Sequence, residues 1–170
     1  MNIILLGKGG SGKTTYMKKR NMKLCKWITD RTQRSGEQDN DSIFVSKEEF
    51  DLIPNKLIVQ EFNVGYRYAL IEEEIINGDV ITINPKYVHE IPKKYLESVD
   101  HIWYIYCDKQ ELERRQLQRI DKNNKKDISD IKLRIESDLY TFADVDEYIK
   151  TIEPVIIDGQ KFYEMKKYFI

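Results

Sequence analysis

At 170 residues, with 41% hydrophobic and 11% aromatic content, the chain is long enough for one packed domain, or for one core with a small inserted lobe. Its 28 Lys plus Arg balance 29 Asp plus Glu. The net charge of −1 argues against bulk electrostatic binding to a nucleic-acid polymer or a membrane, so any anion must be held by a local cluster of positive charge.

The chain opens on the apolar run Ile3-Ile4-Leu5-Leu6, inside a strand expected over 2–6, which feeds directly into GKGGSGKTT at 7–15. This fits G-x-x-x-x-G-K-[ST], with Gly7, Gly12, Lys13 and Thr14 in place. A buried strand delivers the backbone to a turn rich in glycine, and successive N–H groups then form a nest for an anion before a helix begins. Gly9, Gly10, Ser11 and Thr15 complete that nest. Lys13 is expected to reach the β- and γ-phosphates of ATP, and the Thr14 hydroxyl to ligate Mg²⁺. The opening apolar run ends in this loop and lacks the layout of a secretory signal.

Further along, strands are expected at 24–28, 57–62, 80–83, 102–107 and 155–157, with helices at 13–23, 70–77, 85–98, 109–119, 128–144 and 160–168. Several strands are continuous apolar runs, the pattern of a parallel sheet covered on both faces. Ser46-Lys47-Glu48-Glu49 is a capping box that starts a short helix, and Gly78 stops the helix before it. Residues 31–68 are polar and rich in turns, as an inserted lobe is. DKNNKKD at 121–127 is a charged loop between arginine-rich helices, fit for the tip of a moving lid. The alternation makes an α/β domain of the P-loop NTPase fold: a parallel sheet flanked by helices, an inserted lobe and a helical lid. No apolar run is long enough to span a bilayer. Cys25 and Cys107 sit in apolar runs and read as core residues in a reducing, cytoplasmic setting. His89 and His101 lack ligand spacing. Asn124-Lys125-Lys126-Asp127 spells the guanine motif of regulatory GTPases, but it lies in a charged loop rather than after a buried strand, and no D-x-x-G accompanies it.

After the phosphate loop and second strand comes TDRTQRSGEQDNDSIFVSKEEF at 29–50. Two arginines three apart, Arg31 and Arg34, can grip a dianionic phosphate by charge-assisted bonds, with Glu37 holding the guanidiniums from behind. With Phe44, Val45, Ser46, Glu49 and Phe50 in register, this stretch resembles the guanylate kinase family. The resemblance runs over nearly the whole chain. GYRYAL at 65–70 places Tyr68 at the family's phosphate-touching tyrosine. ELERRQLQR at 111–119 places Arg115 and Arg119 at the first lid arginines, and KLRIESDL places Arg134 at the third. The resemblance implies a single guanylate kinase-like domain. Its core is 1–30, 69–114 and 135–170, its nucleoside monophosphate (NMP) lobe 31–68 and its lid 115–134. It also implies an ATP contact at Asp158 and NMP contacts at Ser42 and Asn84.

The departures concern the base. The family's guanine-reading positions align with Trp27, Ile58 and Asn84, with Glu61 a substitute for the second. Ser42 replaces a tyrosine, and Thr82-Ile83-Asn84 lacks carboxylates expected near the magnesium. The expected function is transfer of the ATP γ-phosphate to GMP or dGMP by a monomer or homodimer, with base recognition loosened or altered. The alternatives are a kinase for another deoxynucleotide or phosphorylated small molecule, and a non-catalytic module that binds phosphorylated partners.

Overall fold

The computed structural model describes residues 1–33, 42–61, 65–118 and 125–170. Two sheets organise it. The larger is built on β1 (Ile3–Leu6), which pairs in parallel with β6 (Val80–Thr82) on one side and β7 (His101–Tyr106) on the other. Next to β7 come β9 (Gln160–Glu164) and then β8 (Val155–Ile157), both antiparallel to their neighbours. The second sheet has the order β3 (Ser42–Phe44), β2 (Trp27–Thr29), β5 (Arg67–Ile71) and β4 (Lys56–Glu61). It takes in residues on both sides of the expected 31–68 lobe.

β1 is apolar at every position because both faces are covered. Ile4 and Leu6 point into a cluster with Tyr104, Phe142, Val145 and Ile149, while Leu5 points the other way, onto Tyr16, Met17, Trp103, Ile105 and Phe162. Tyr16 and Met17 belong to α1 (Lys13–Lys19). Phe142, Val145 and Ile149 follow α6 (Lys125–Thr141), in or beside α7 (Ala143–Tyr148). Trp27, Ile58 and Leu70 of the second sheet join the first cluster, and the Trp27 indole N–H donates to the Thr82 carbonyl at 2.9 Å.

The expected parallel sheet is present in β6, β1 and β7, but β9 and β8 make the sheet as a whole mixed. The expected 160–168 helix is instead β9 followed by the short α8 (Lys166–Phe169). Asp158 (φ 52°) and Gly159 (φ 76°) form a two-residue reversal between β8 and β9. An Asp-Gly pair of this kind is a strong hairpin signal, and the reversal sends the chain back antiparallel. The strand expected at 24–28 starts at Trp27 and lies in the second sheet, with Leu24 making only an isolated bridge to Val80. The helix expected over 85–98 breaks at Pro92 into a 3₁₀ turn (Pro85–Glu90) and α4 (Lys93–Leu96). The first residues of the 70–77 helix belong to β5, and α3 begins at Glu72 (Glu72–Asn77).

The Ser46 box starts α2 (Lys47–Leu52) as expected: the Glu49 N–H reaches Ser46 Oγ and the Ser46 N–H reaches Glu49. Gly78 ends α3 in an extended conformation, and its role is close approach. A Cβ there would stand 2.5 Å from Cys25 Sγ and 2.8 Å from the Cys25 nitrogen. Among the described residues no helix is long and apolar enough to cross a membrane.

Candidate functional site

The glycine-rich loop leaves β1 at Leu6 and enters α1 at Gly12. Gly10 (φ 86°) and Gly12 (φ 105°) take left-handed backbone that a side chain would strain, and the Ser11 N–H closes the turn on the Lys8 carbonyl at 3.1 Å. The Lys13 ammonium folds back across the loop and donates to the carbonyls of Gly7 (2.5 Å) and Lys8 (3.1 Å). Thr14 and Thr15 are exposed. Ser11 Oγ is buried and, among the described residues, lacks a hydrogen-bond partner, which a loop built only for packing would avoid.

Helices from the C-terminal half close on this loop from outside. α5 (Lys109–Leu117) sends Arg115 Nη1 to the Gly10 carbonyl at 3.2 Å and Gln116 Nε2 to the Gly9 carbonyl at 2.8 Å. Glu111 holds the arginine: Arg115 Nε donates to it at 2.6 Å and Arg114 donates twice at 2.7 Å. The bonds from Arg114 and then Arg115 pull the Glu111 carboxyl down to about 2, so it stays an anion that orients the guanidiniums. On α6, Asp138 Oδ2 accepts the Gly9 N–H at 2.7 Å. Arg134 stands beside it, its Nε 3.2 Å from where a Gly9 Cβ would be. The Lys8 ammonium is buried and pairs with Asp146 of α7, which also accepts the Tyr104 hydroxyl at 2.6 Å. From β9, Gln160 Nε2 donates to the Ser11 carbonyl at 3.2 Å. Burial first, then the hydrogen bond to Asp146, raises Tyr104, which stays a neutral donor.

The second sheet builds another basic corner. Arg31 follows β2 and Tyr68 lies on β5 opposite Thr29, so strand pairing brings them together, with Arg31 Nε donating to Tyr68 Oη at 2.8 Å. The buried guanidinium lies 5.2 Å from the Phe44 ring centroid and donates to the Thr32 carbonyl at 2.9 Å. One residue before each of them, Asp30 accepts the Arg67 N–H at 2.7 Å and Arg67 Nε at 2.8 Å. Arg67 also reaches Asp51 at 2.6 Å and lies over the Phe50 ring. Burial alone would raise the Asp30 carboxyl, but the backbone and side-chain bonds from Arg67 outweigh it and hold Asp30 below the usual carboxylate range.

The expected site residues thus divide. Lys13, Arg115 and Arg134 meet at the loop, and Arg31 meets Tyr68. Arg34, Glu37 and Arg119 lie outside the described residues. Asp158 sits in the β8–β9 turn, 3.1 Å from Arg20 Nη1 at the far end of α1. Asn84 caps the 3₁₀ turn by accepting the Lys86 N–H at 3.1 Å. Ser42 is buried on β3 beside Trp27, and Trp27 itself is a core residue. Sequence reasoning passed over Asp138, Asp146, Gln116, Gln160 and the Asp30–Arg67 pair. Of these, Gln160 carried a local signal, since Asp158-Gly159 announces the hairpin that puts it at the loop.

ATP with Mg²⁺ fits this donor set. The loop offers an ammonium, exposed hydroxyls and an orphaned Ser11 Oγ. Among the described residues no cluster of three or more His, Cys, Asp or Glu could hold a metal alone, so Thr14 with phosphate oxygens and water would form the magnesium shell.

No family model matches the chain, and no curated protein does. Among solved structures, guanylate kinase from Anaplasma phagocytophilum is similar over 89% of this chain and 85% of its own, at 18% identity and a TM-score of 0.48. A likeness at that level does not bear on the chemistry.

Proposed function

We propose that the protein is a nucleoside monophosphate kinase that moves the γ-phosphate of ATP to a monophosphate acceptor, with GMP or dGMP the first candidates. The observation that carries this reading is the convergence on one phosphate loop of Lys13 from α1, Arg115 from α5 and Arg134 from α6. A separate arginine–tyrosine corner lies on the second sheet. Phosphoryl transfer asks the protein for little covalent chemistry. It asks for alignment of two phosphates and for positive charge where negative charge spreads. Lys13 would turn from the Gly7 and Lys8 carbonyls to the β- and γ-oxygens, and the Thr14 hydroxyl would hold the magnesium. Arg115, held by Glu111, and Arg134 supply charge along the transferring group, with Arg119 as a third. Arg31 and Tyr68, joined by Arg34 and Glu37, hold the acceptor phosphate. Mg²⁺, held at the Thr14 hydroxyl, would supply positive charge against the charge that develops on the phosphates.

A different acceptor base is a specific second reading. Trp27 and Ile58 stand where guanylate kinases place polar guanine readers, yet both are buried in the core, and the Trp27 N–H is taken by Thr82. Trp27 therefore has no face to stack on a base. A pocket that grips phosphate and reads the base weakly discriminates less, because unpaired polar groups are what reject a wrong partner.

The test is a coupled ADP-release assay over GMP, dGMP, AMP, dTMP and dCMP, with Lys13→Ala and Arg31→Ala beside the parent. Parent turnover on at least one monophosphate is expected, abolished by Lys13→Ala and shifted to higher acceptor KM by Arg31→Ala. No turnover on the whole panel, or a Lys13→Ala variant within a few-fold of the parent, would sink the reading.

A further inference from the structure

The Gly9 peptide is engaged at both of its polar ends by the helices that pack on the loop. Its carbonyl takes Gln116 and its N–H takes the Asp138 carboxylate at 2.7 Å, the length of a charge-assisted bond. Arg134 and Asp138 are one turn apart on α6 and share a face. Both stand 3.2 Å from the place a Gly9 Cβ would occupy, so a positive and a negative group from the same helix flank one loop amide. A loop whose amides are built to meet an anion is, at this position, already meeting one.

We infer that Asp138 is a resting-state stand-in for a nucleotide phosphate at the Gly9 amide, and that the donor triphosphate must displace it. The inference rests on the proposed use of the loop for ATP. A half-buried carboxylate cannot remain beside an incoming triphosphate without like-charge repulsion, and the local dielectric makes that repulsion costly. When phosphate arrives, the carboxylate gives up the Gly9 N–H and α6 shifts. The same shift leaves Arg134, one turn away, as the α6 charge facing the anion. Free protein thus spends part of its time closed against its own ligand, and the apparent affinity for ATP falls by the fraction of molecules in which Gly9 is occupied. Asp146 on α7 keeps its pair with the buried Lys8 ammonium, which tethers the base of this arm while α6 moves.

The experiment compares ATP binding by isothermal titration calorimetry, with Mg²⁺ and at fixed ionic strength, for the parent, Asp138→Asn and Glu136→Gln. Asparagine keeps an oxygen for the Gly9 N–H and removes the charge. Glu136 is exposed on the same helix, so its neutralisation controls for net charge alone. Asp138→Asn is expected to bind ATP roughly tenfold more tightly than the parent, and Glu136→Gln to match the parent within twofold. Asp138→Ala, which deletes the carboxylate, should shift in the same direction and serves if the asparagine variant does not fold. Equal or weaker binding by the Asp138 variants, or an equal gain from Glu136→Gln, would overturn the inference while leaving the kinase reading standing. If neither parent nor variants bind ATP, both fall together.

Discussion

Asp30→Asn removes a single charge from the seam of the second sheet, and its cost can be worked from the contacts. The Asp30 side chain is 1% exposed and accepts two bonds from Arg67, one from the backbone and one from the guanidinium. Hydrogen bonds to a charged partner contribute about 1.5–3 kcal/mol each against about 0.5–1.5 for neutral ones. Asparagine has one acceptor oxygen, so it weakens one of the two bonds by about 1–1.5 kcal/mol and forfeits the other, about 1.5–3 kcal/mol, where its NH₂ meets a donor. Together these make about 2.5–4.5 kcal/mol. Arg67 keeps Asp51, which holds the loss toward the lower end. In urea, with a slope of about 2 kcal/mol/M for a chain of this size, the unfolding midpoint should fall by about 1–2 M. The pH dependence supplies a second reading. Asp30 has a folded pKa below its unfolded one, so its stabilisation is fully present above the unfolded carboxylate range. It is lost as pH falls through the lower folded value. The variant should therefore lose less stability than the parent on acidification below about pH 4. A midpoint shift under about 0.3 M at neutral pH, with unchanged acid sensitivity, would refute the account of this pair.

Gly78→Ala forces a methyl group into Cys25, at 2.5 Å from its sulfur and 2.8 Å from its backbone nitrogen, where only a main-chain shift can relieve it. Thermal denaturation should show a loss of about 2 kcal/mol, or several degrees in Tm; a variant as stable as the parent would show that the end of α3 and the Cys25 backbone are not so closely apposed. Both cysteines are buried, and burial pushes the Cys25 thiol up to about 11 and raises Cys107 as well. A thiol-reactive dye at pH 8 should label the native protein roughly a hundredfold more slowly than a free thiol, and both sites at once in denaturant. Rapid labelling of the native state would count against a closed core.

The strand–turn–helix over 3–19 was readable from sequence because everything it needs is contiguous: a buried strand, glycines where left-handed backbone is required, and Lys-Thr at the helix entry. The Ser46 capping box is local for the same reason, its two hydrogen bonds spanning three residues. Arg31 and Tyr68 lie in separate stretches that only the family resemblance linked, and strand pairing brings them to 2.8 Å. The Asp158-Gly159 signal was also local, but the run after it reads as a helix. Only pairing with β7 chose the strand, burying Phe162 against Tyr16 and Trp103. Trp27 shows the reverse case: alignment set it at the base pocket, and packing took it into the core. The partners of the loop were beyond any pattern in the chain. Asp138 lies 129 residues from Gly9, and Asp146 lies 138 residues from Lys8. An acidic residue on an amphipathic helix reads as a solvated face until the helix docks. Which carboxylate meets the Gly9 N–H is decided by how α6 and α7 lie on the sheet. That placement follows from Phe142, Val145 and Ile149 being buried in one cluster with Ile4 and Leu6, and no local rule assigns those three side chains to this face of β1.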